Sequence, residues 1–222
     1  MNKLNHVAFI MDGNGRWGKK KNNSRNFGHI KGIEVVKKIV KSSIKLEIPY
    51  VSFYVFSSEN WKRPKKEISF LFKLIKSYFL KEKDNLIKKG IKINILGELN
   101  SLPTDIKKVL NKTVNLTKKN KKINVNLAIN YGAKNEILRA FKKSKKKTNI
   151  NNFEKNLDTK NIPDPDILIR TGGHKRLSNF LLWQLAYAEL FFLKKLWPDF
   201  NSNDLIKIVK NYKKIKRNYG SI

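Results

Sequence analysis

The residues best suited to chemistry lie close together near the start of the chain. His6–Trp17 reads HVAFIMDGNGRW: the apolar run Val7-Ala8-Phe9-Ile10-Met11 stops at Asp12, and Gly13-Asn14-Gly15-Arg16 follows. An apolar run cut off by turn residues reads as a buried strand feeding a tight loop. Two glycines let the backbone approach a ligand and aim its N–H groups at it. Arg16 offers a planar fork matched to phosphate oxygens, and Asp12 offers hard oxygens for a cation. A carboxylate, two glycines and an arginine at a strand's end fit a metal-diphosphate site. Turn chemistry explains Asp, Gly and Asn equally well, so an ordinary strand and Asx turn stays open on this stretch alone.

Two later stretches have the same form. Tyr50–Phe56 (YVSFYVF) reads as a buried strand and ends in Ser57-Ser58-Glu59-Asn60-Trp61-Lys62-Arg63-Pro64. Asp166–Ile169 reads as a short strand and ends in Arg170-Thr171-Gly172-Gly173-His174-Lys175-Arg176. Of the seven arginines, Arg16, Arg25, Arg63, Arg170 and Arg176 lie in or beside these loops. In a chain that uses lysine nearly everywhere else, an arginine suggests that fork geometry matters there.

The elements that must position these loops follow from periodicity. Lys19–Asn26 is polar and reads as a loop; Phe27 to about Leu46 has helical spacing. Lys65–Lys89 is a long helix with a core stripe of Ile68, Leu71, Phe72, Ile75, Phe79 and Leu86. Phe70, Leu74 and Tyr78 widen that stripe beyond one packing face. Ile91–Leu96 is a strand, and Pro103–Lys119 a helix exposed on most sides. Ile123–Ile129 is an alternating strand, Lys134–Lys147 a helix, and Thr148–Pro163 carries little pattern. Ser178 can N-cap a helix over Asn179–Tyr187; Leu190–Leu193 is a short strand and Ser202–Tyr219 the last helix. This alternation predicts an α/β fold, a single domain over residues 1–222 with a mainly parallel sheet of about six strands flanked by helices. Ligands of such sheets collect outside the carboxyl ends of the strands, so the three loops should converge.

With 222 residues, 40% of them hydrophobic, the chain can bury a core. It has no cysteine, which excludes disulfides and thiolate-metal sites and suits a reducing, cytoplasmic setting. No apolar run approaches the roughly 18 residues that span a bilayer. The net charge of +32 admits nucleic acid or an anionic membrane surface as partners. A solvated lysine coat reflecting AT-rich codon usage is the simpler reading. A basic nucleic-acid-binding protein is the main alternative function, but it would interleave aromatics with its cations on one face, whereas the arginines here stand beside glycine and carboxylate loops. A peripheral contact with an anionic membrane is compatible with catalysis.

HVAFIMDGNGRW, FSSENWKRP, DPDILIRTGG with RLSNFLLWQLAYAELFF, and LWPDF occur in this order. Together they resemble the cis-prenyltransferases, in particular the bacterial undecaprenyl diphosphate synthases, nearly end to end. DDxxD motifs, the mark of the trans enzymes, do not occur. The resemblance implies a parallel sheet flanked by helices around an apolar tunnel, usually a homodimer. It implies Mg²⁺-dependent condensation of isopentenyl diphosphate onto an allylic diphosphate, usually farnesyl diphosphate, giving the lipid carrier of cell-wall glycans. By the same resemblance Asp12 is the essential carboxylate, on both Mg²⁺ and diphosphate. Gly13, Asn14, Gly15 and Arg16 cradle the allylic diphosphate with Arg25 and His29, and Trp17 lines the mouth of the site. Ser57, Ser58, Glu59, Asn60, Trp61 and Arg63 form the second loop, with Asn60 near the proton that leaves. Arg170, Arg176, Leu177 and Ser178 take isopentenyl diphosphate, and Glu189 is a metal ligand, delivered within the chain or across the dimer. The third loop departs from the family pattern: His174 stands where Glu is usual and Lys175 where His is frequent. An ammonium cannot bind Mg²⁺, so no metal role passes to Lys175.

Overall fold

His6–Ile10 forms the first strand, β1, and is buried throughout. In this computed structural model, which describes residues 2–144 and 149–217, β1 lies inside a six-stranded sheet with the order β3-β4-β2-β1-β5-β6. β2 is Tyr50–Ser57, β3 Ile91–Leu96, β4 Ile123–Tyr131, β5 Ile167–Arg170 and β6 Glu189–Phe192. Every pairing is parallel. The helices that make the crossovers cover both faces, which is why the central strands read as continuous apolar runs.

Alternation along β1 divides the core. Val7 and Phe9 face a large cluster built with the long helices, while Ala8 and Ile10 face a second cluster with Phe180, Leu181 and Leu185. In the first, Phe9 stacks on Phe53 at 5.0 Å, and Trp197 meets both edge-on. The helices are α1 (Asn14–Asn22), α2 (Arg25–Lys45), α3 (Lys65–Lys88), α4 (Thr104–Thr117), α5 (Ala133–Lys143), a short α6 (Ile150–Glu154) and α7 (Ser202–Lys214).

A polar ladder crosses the sheet inside this apolar frame. Ser52, Asn126 and Asn94 are register neighbours on β2, β4 and β3. Asn94 Nδ2 donates to Asn126 Oδ1 at 2.9 Å, and Asn126 Nδ2 to Ser52 Oγ at 2.9 Å. His6 Nε2 lies 2.7 Å from Ser52 Oγ, and its Nδ1 lies 2.6 Å from the Pro163 carbonyl. Burial lowers the His6 pKa to about 4 against the weaker pull of that carbonyl and Asp166, so the ring is neutral at pH 7.

Several expectations are corrected. Gly13–Arg16 is not a loop: after Asp12-Gly13 the chain enters α1 at once, and the run Lys19–Lys21 forms the last turn of that helix, where cations suit the dipole. β4 does not alternate, because helices lie on both of its faces and it is buried almost throughout. Ile150–Glu154 is helical in a region without sequence pattern. Ser178 caps no helix: Ser178, Asn179 and Leu181 have φ of 51°, 62° and 46°, and Asn179–Tyr187 forms turns. The helices expected to reach Lys147 and Tyr219 stop short, at Lys143 and Lys214, where Ser144 and Ile215 turn to extended backbone; residues 145–148 and 218–222 lie outside the described residues.

Candidate active site

Asp12 follows β1 by one intervening residue, Asn60 follows β2, and Arg170 closes β5, so all three stand at the carboxyl edge of the sheet. They line one cavity of about 760 Å³ with Gly13, Asn14, Gly15, Arg16, Arg25, His29, Ser57, Glu59, Arg63, Arg176 and Ser178. The expected convergence of the three loops is therefore present.

The Asp12 carboxylate is held between two guanidiniums. Arg16 Nη2 approaches Oδ1 at 3.2 Å and Arg170 Nη2 approaches Oδ2 at 3.0 Å. Its backbone is fixed as well, since the Asp12 carbonyl accepts from Thr171 Oγ1 at 2.8 Å and Trp197 N at 3.0 Å. Arg16 Nη2 also donates to the Gly172 carbonyl at 2.7 Å. Gly172 has φ +91°, and a Cβ there would stand 2.6 Å from Arg16 Nη2 and 2.9 Å from Asp12 Cγ. Only glycine lets the third loop close on the carboxylate in that conformation. Arg170, 4% exposed, donates through Nη1 to Ser178 Oγ at 2.7 Å and to the Arg176 carbonyl. This pull on Ser178 replaces the cap expected of it.

The second loop is a 3₁₀ turn, Ser58–Lys62, closed by Asn60 Oδ1 accepting from Ser57 N at 3.1 Å. Beside it, Glu67 on the first turn of α3 gathers three groups from separate elements. Arg25 Nε and Nη2 both donate to it at 3.1 Å, Arg63 Nη1 at 3.3 Å, and His29 Nε2 lies 3.7 Å away. Burial pushes the Glu67 carboxyl up, but the Arg25 hydrogen bonds and the charges of Arg25 and Arg63 prevail and hold it below the usual range. For His29, burial and then the Arg63 charge lower the pKa to about 4, so its imidazole is neutral at pH 7.

Glu67 was not singled out from the sequence, and neither was Asn179. Asn179 Nδ2 donates to Glu59 Oε1 at 2.8 Å, while its Oδ1 and carbonyl accept from Lys134 N at 2.9 Å and Ala133 N at 2.8 Å. It thus ties the second and third loops to the start of α5, and Lys134 joins the cavity wall. The signal for Asn179 was its residue type, since Asn tolerates φ > 0 and caps helices from a distance.

Other expected residues lie apart. Trp17 stacks on Phe27 at 5.6 Å and donates to Asp199 Oδ1 at 2.7 Å, and is not in the cavity wall. Trp61 donates to Asn130 Oδ1 at 2.8 Å and, with Ser58, lines a neighbouring recess. Leu177 packs at the border of the second core cluster. Glu189 is corrected as a ligand within the chain. It is the first residue of β6, in register with Ile167 at the start of β5 and through it with Val7, so it stands at the opposite edge of the sheet from Asp12. Arg217 Nε lies 3.6 Å from its Oε1.

Among the described residues, three atoms in the cavity wall are buried without a hydrogen-bond partner: Asn14 Oδ1, His29 Nε2 and Arg170 Nε. Such a concentration of unpaired polar atoms marks a site built for a ligand. Among the described residues no three His, Cys, Asp or Glu side chains meet in a way that would hold a metal. A single carboxylate does fit Mg²⁺, which prefers one or two carboxylates plus substrate phosphates and water; Asp12 would hold it.

The cavity adjoins a narrow one of about 110 Å³, sharing Met11, Asn14, His29, Val55 and Leu71 with it. That adjoins a third of about 720 Å³, sharing Val36, Tyr78, Phe79 and Leu127. Together they run between α2, α3 and the sheet.

A cavity lined by arginines at the carboxyl edge of a parallel sheet, backed by apolar space, fits the class of transferases that act on diphosphates with apolar chains. The family model described as "Putative undecaprenyl diphosphate synthase" matches residues 10–220. Isoprenyl transferase of Treponema denticola is 47% identical over 99% of this chain and 98% of its own, and that of Rickettsia typhi 42% over 99% of both. Lavandulyl diphosphate synthase from Lavandula x intermedia, solved with dimethylallyl diphosphate, superposes with a TM-score of 0.93 at 30% identity over 98% of both chains. A "probable undecaprenyl diphosphate synthase" from Campylobacter jejuni gives 0.86 at 34% over the full length of both. The chain belongs to the cis-prenyltransferase family and is a prenyltransferase of the undecaprenyl diphosphate synthase type.

Proposed function

We propose that the protein condenses isopentenyl diphosphate units onto farnesyl diphosphate with Mg²⁺, building the long-chain polyprenyl diphosphate that carries cell-wall glycans. We assign residues 1–222 to one catalytic domain that works as a cytoplasmic homodimer with peripheral access to the membrane; among the described residues no helix is long and apolar enough to cross one. The observation that carries this reading is the basic cavity leading into apolar space between α2 and α3.

In this reading the N-terminus of α1 and the Arg16, Arg25 and Arg63 side chains bind the allylic diphosphate, and Arg170, Arg176 and Ser178 the second substrate. A bound Mg²⁺ supplies charge neutralisation on the leaving diphosphate. The guanidiniums strengthen their hydrogen bonds to that group as its C–O bond breaks. The isopentenyl double bond supplies the electron pair of the new C–C bond at the allylic carbon as the allylic diphosphate leaves, and a proton is lost from the isopentenyl carbon beside the resulting cationic centre, which forms the new double bond. Asn60 is a neutral amide whose Oδ1 is engaged by Ser57 N, so it orients rather than accepts. A substrate diphosphate oxygen or the neutral His29 is the better acceptor. Incubation with farnesyl diphosphate, labelled isopentenyl diphosphate and Mg²⁺, followed by sizing of the product, tests this. A labelled long chain is expected; no chain, or a single condensation only, contradicts it.

A further inference from the structure

The third cavity has a feature that chain growth does not use. It lies at the amino edge of the sheet, where Lys45 closes α2 before β2, Lys88 and Lys89 precede β3, and Lys122 precedes β4. These four line its mouth with Lys37 and Lys41, and all six are exposed. The one acid in its wall among the described residues, Glu82, is already paired with Lys37 and accepts from Asn85 Nδ2 at 3.0 Å. The other five lysines make no ion pair among the described residues. Behind this rim the wall is apolar, with Val40, Phe79, Leu86 and Val125 buried.

An isoprenoid growing from the Asp12 end would arrive here tail first, with no anion to offer the lysines. An apolar cavity with a cationic mouth is instead complementary to a molecule entering from outside, chain inward and anion outward. At about 720 Å³ it falls within the size range of ligand pockets. We propose that this cavity is a second binding site, for an anionic single-chain amphiphile such as a long-chain carboxylate. Its head pairs with Lys41, Lys45, Lys88, Lys89 and Lys122, and its chain lies between α2, α3 and the sheet. Occupancy would compete with the far end of a long product.

The test is titration of the full chain with a fluorescent long-chain fatty acid, read by emission and needing no turnover, so it stands or falls apart from the proposed activity. Saturable binding is expected, and the exposed double variant Lys41→Glu/Lys89→Glu should weaken it by about tenfold or more. The corresponding long-chain alcohol should compete poorly. Absent saturable binding, equal competition by the alcohol, or indifference to the charge reversals would overturn the proposal. A flotation arm compares phosphatidylglycerol with phosphatidylcholine vesicles. If the chain floats with the anionic vesicles yet binds no free fatty acid, the lysines take a bilayer surface and the amphiphile site is wrong.

Discussion

Asp12 meets Arg16 and Arg170 on its two oxygens, and the placing of both guanidiniums depends on it. Asp12→Ala removes the anchor of the arginines and, in the proposed reaction, the carboxylate that would hold Mg²⁺, so turnover should fall by on the order of 10²–10³. Far-ultraviolet circular dichroism should stay unchanged; a variant with half the activity at saturating Mg²⁺ would refute the assignment. Glu67 makes a complementary case. Without its charge Arg25 and Arg63 lose the carboxylate they share, and mutual repulsion spreads them. Glu67→Gln should lower kcat/KM for the allylic substrate by roughly tenfold or more while leaving the KM for isopentenyl diphosphate near normal. An unchanged allylic KM would show that the guanidiniums are held by other contacts.

Among the elements, α3 lends Leu71, Leu74, Ile75, Tyr78 and Phe79 to the wall of the narrow cavity. Leu74 and Tyr78 line the narrow cavity, whereas Phe70, which widened the apolar stripe in the sequence, lines none of the three. Changing Leu74 to Phe or Ala should shift product length more than the rate of the first condensation, as read by product sizing against initial rates. If both variants leave the length unchanged, the excess apolar residues are ordinary packing. The wide stripe was legible because spacing reports burial, but it cannot distinguish a wall from a core. The strand-to-loop junctions at Asp12, Ser57 and Arg170 were legible for a simpler reason: apolar runs end abruptly there. Glu67 was hidden because a first-turn acid on a helix is ordinary in sequence, and only the fold brings Arg25, Arg63 and His29 to it. The turns after Ser178 were hidden because NFLLWQLAY has helical spacing. Contacts made far away, by Ala133, Lys134 and Glu59 with Asn179, set that backbone.

The sheet itself should respond to pH. His6 has a folded pKa of about 4 against an ordinary 6.5, so the unfolded chain binds more protons between those values and stability rises with pH across that window. Full stability is present above about 6.5 and is lost as pH falls toward 4. This group alone should remove about 2 kcal/mol between pH 7 and pH 5. Urea midpoints at the two pH values measure it, and His6→Asn should reduce the difference. An equal drop in the variant would move the cause elsewhere.

For the molecule as a whole, the charge of +32 is sorted by residue type: lysines crowd the amino edge of the sheet, while arginines gather around the cavity at its carboxyl edge. The two edges thus differ in the geometry of their cations more than in their sign. β6 is the last strand of the sheet, and Tyr187 and Leu190 are 71% and 44% exposed beside it. An unpaired edge with exposed apolar side chains is a surface that a second copy can cover.

The position of Glu189 then has a genetic consequence. A two-fold pairing of β6 edges would run antiparallel and carry the amino end of one edge strand toward the carboxyl end of the other. If Asp12 and Glu189 serve one reaction centre, they must come from different chains. Asp12→Ala and Glu189→Ala would each be inactive alone, yet complement each other when co-expressed or refolded together. A mixed pair has one centre with both residues intact and one with neither, so random pairing of equal amounts should restore about a quarter of the wild-type sites. Purely additive, inactive mixtures would mean that Glu189 serves its own chain or none.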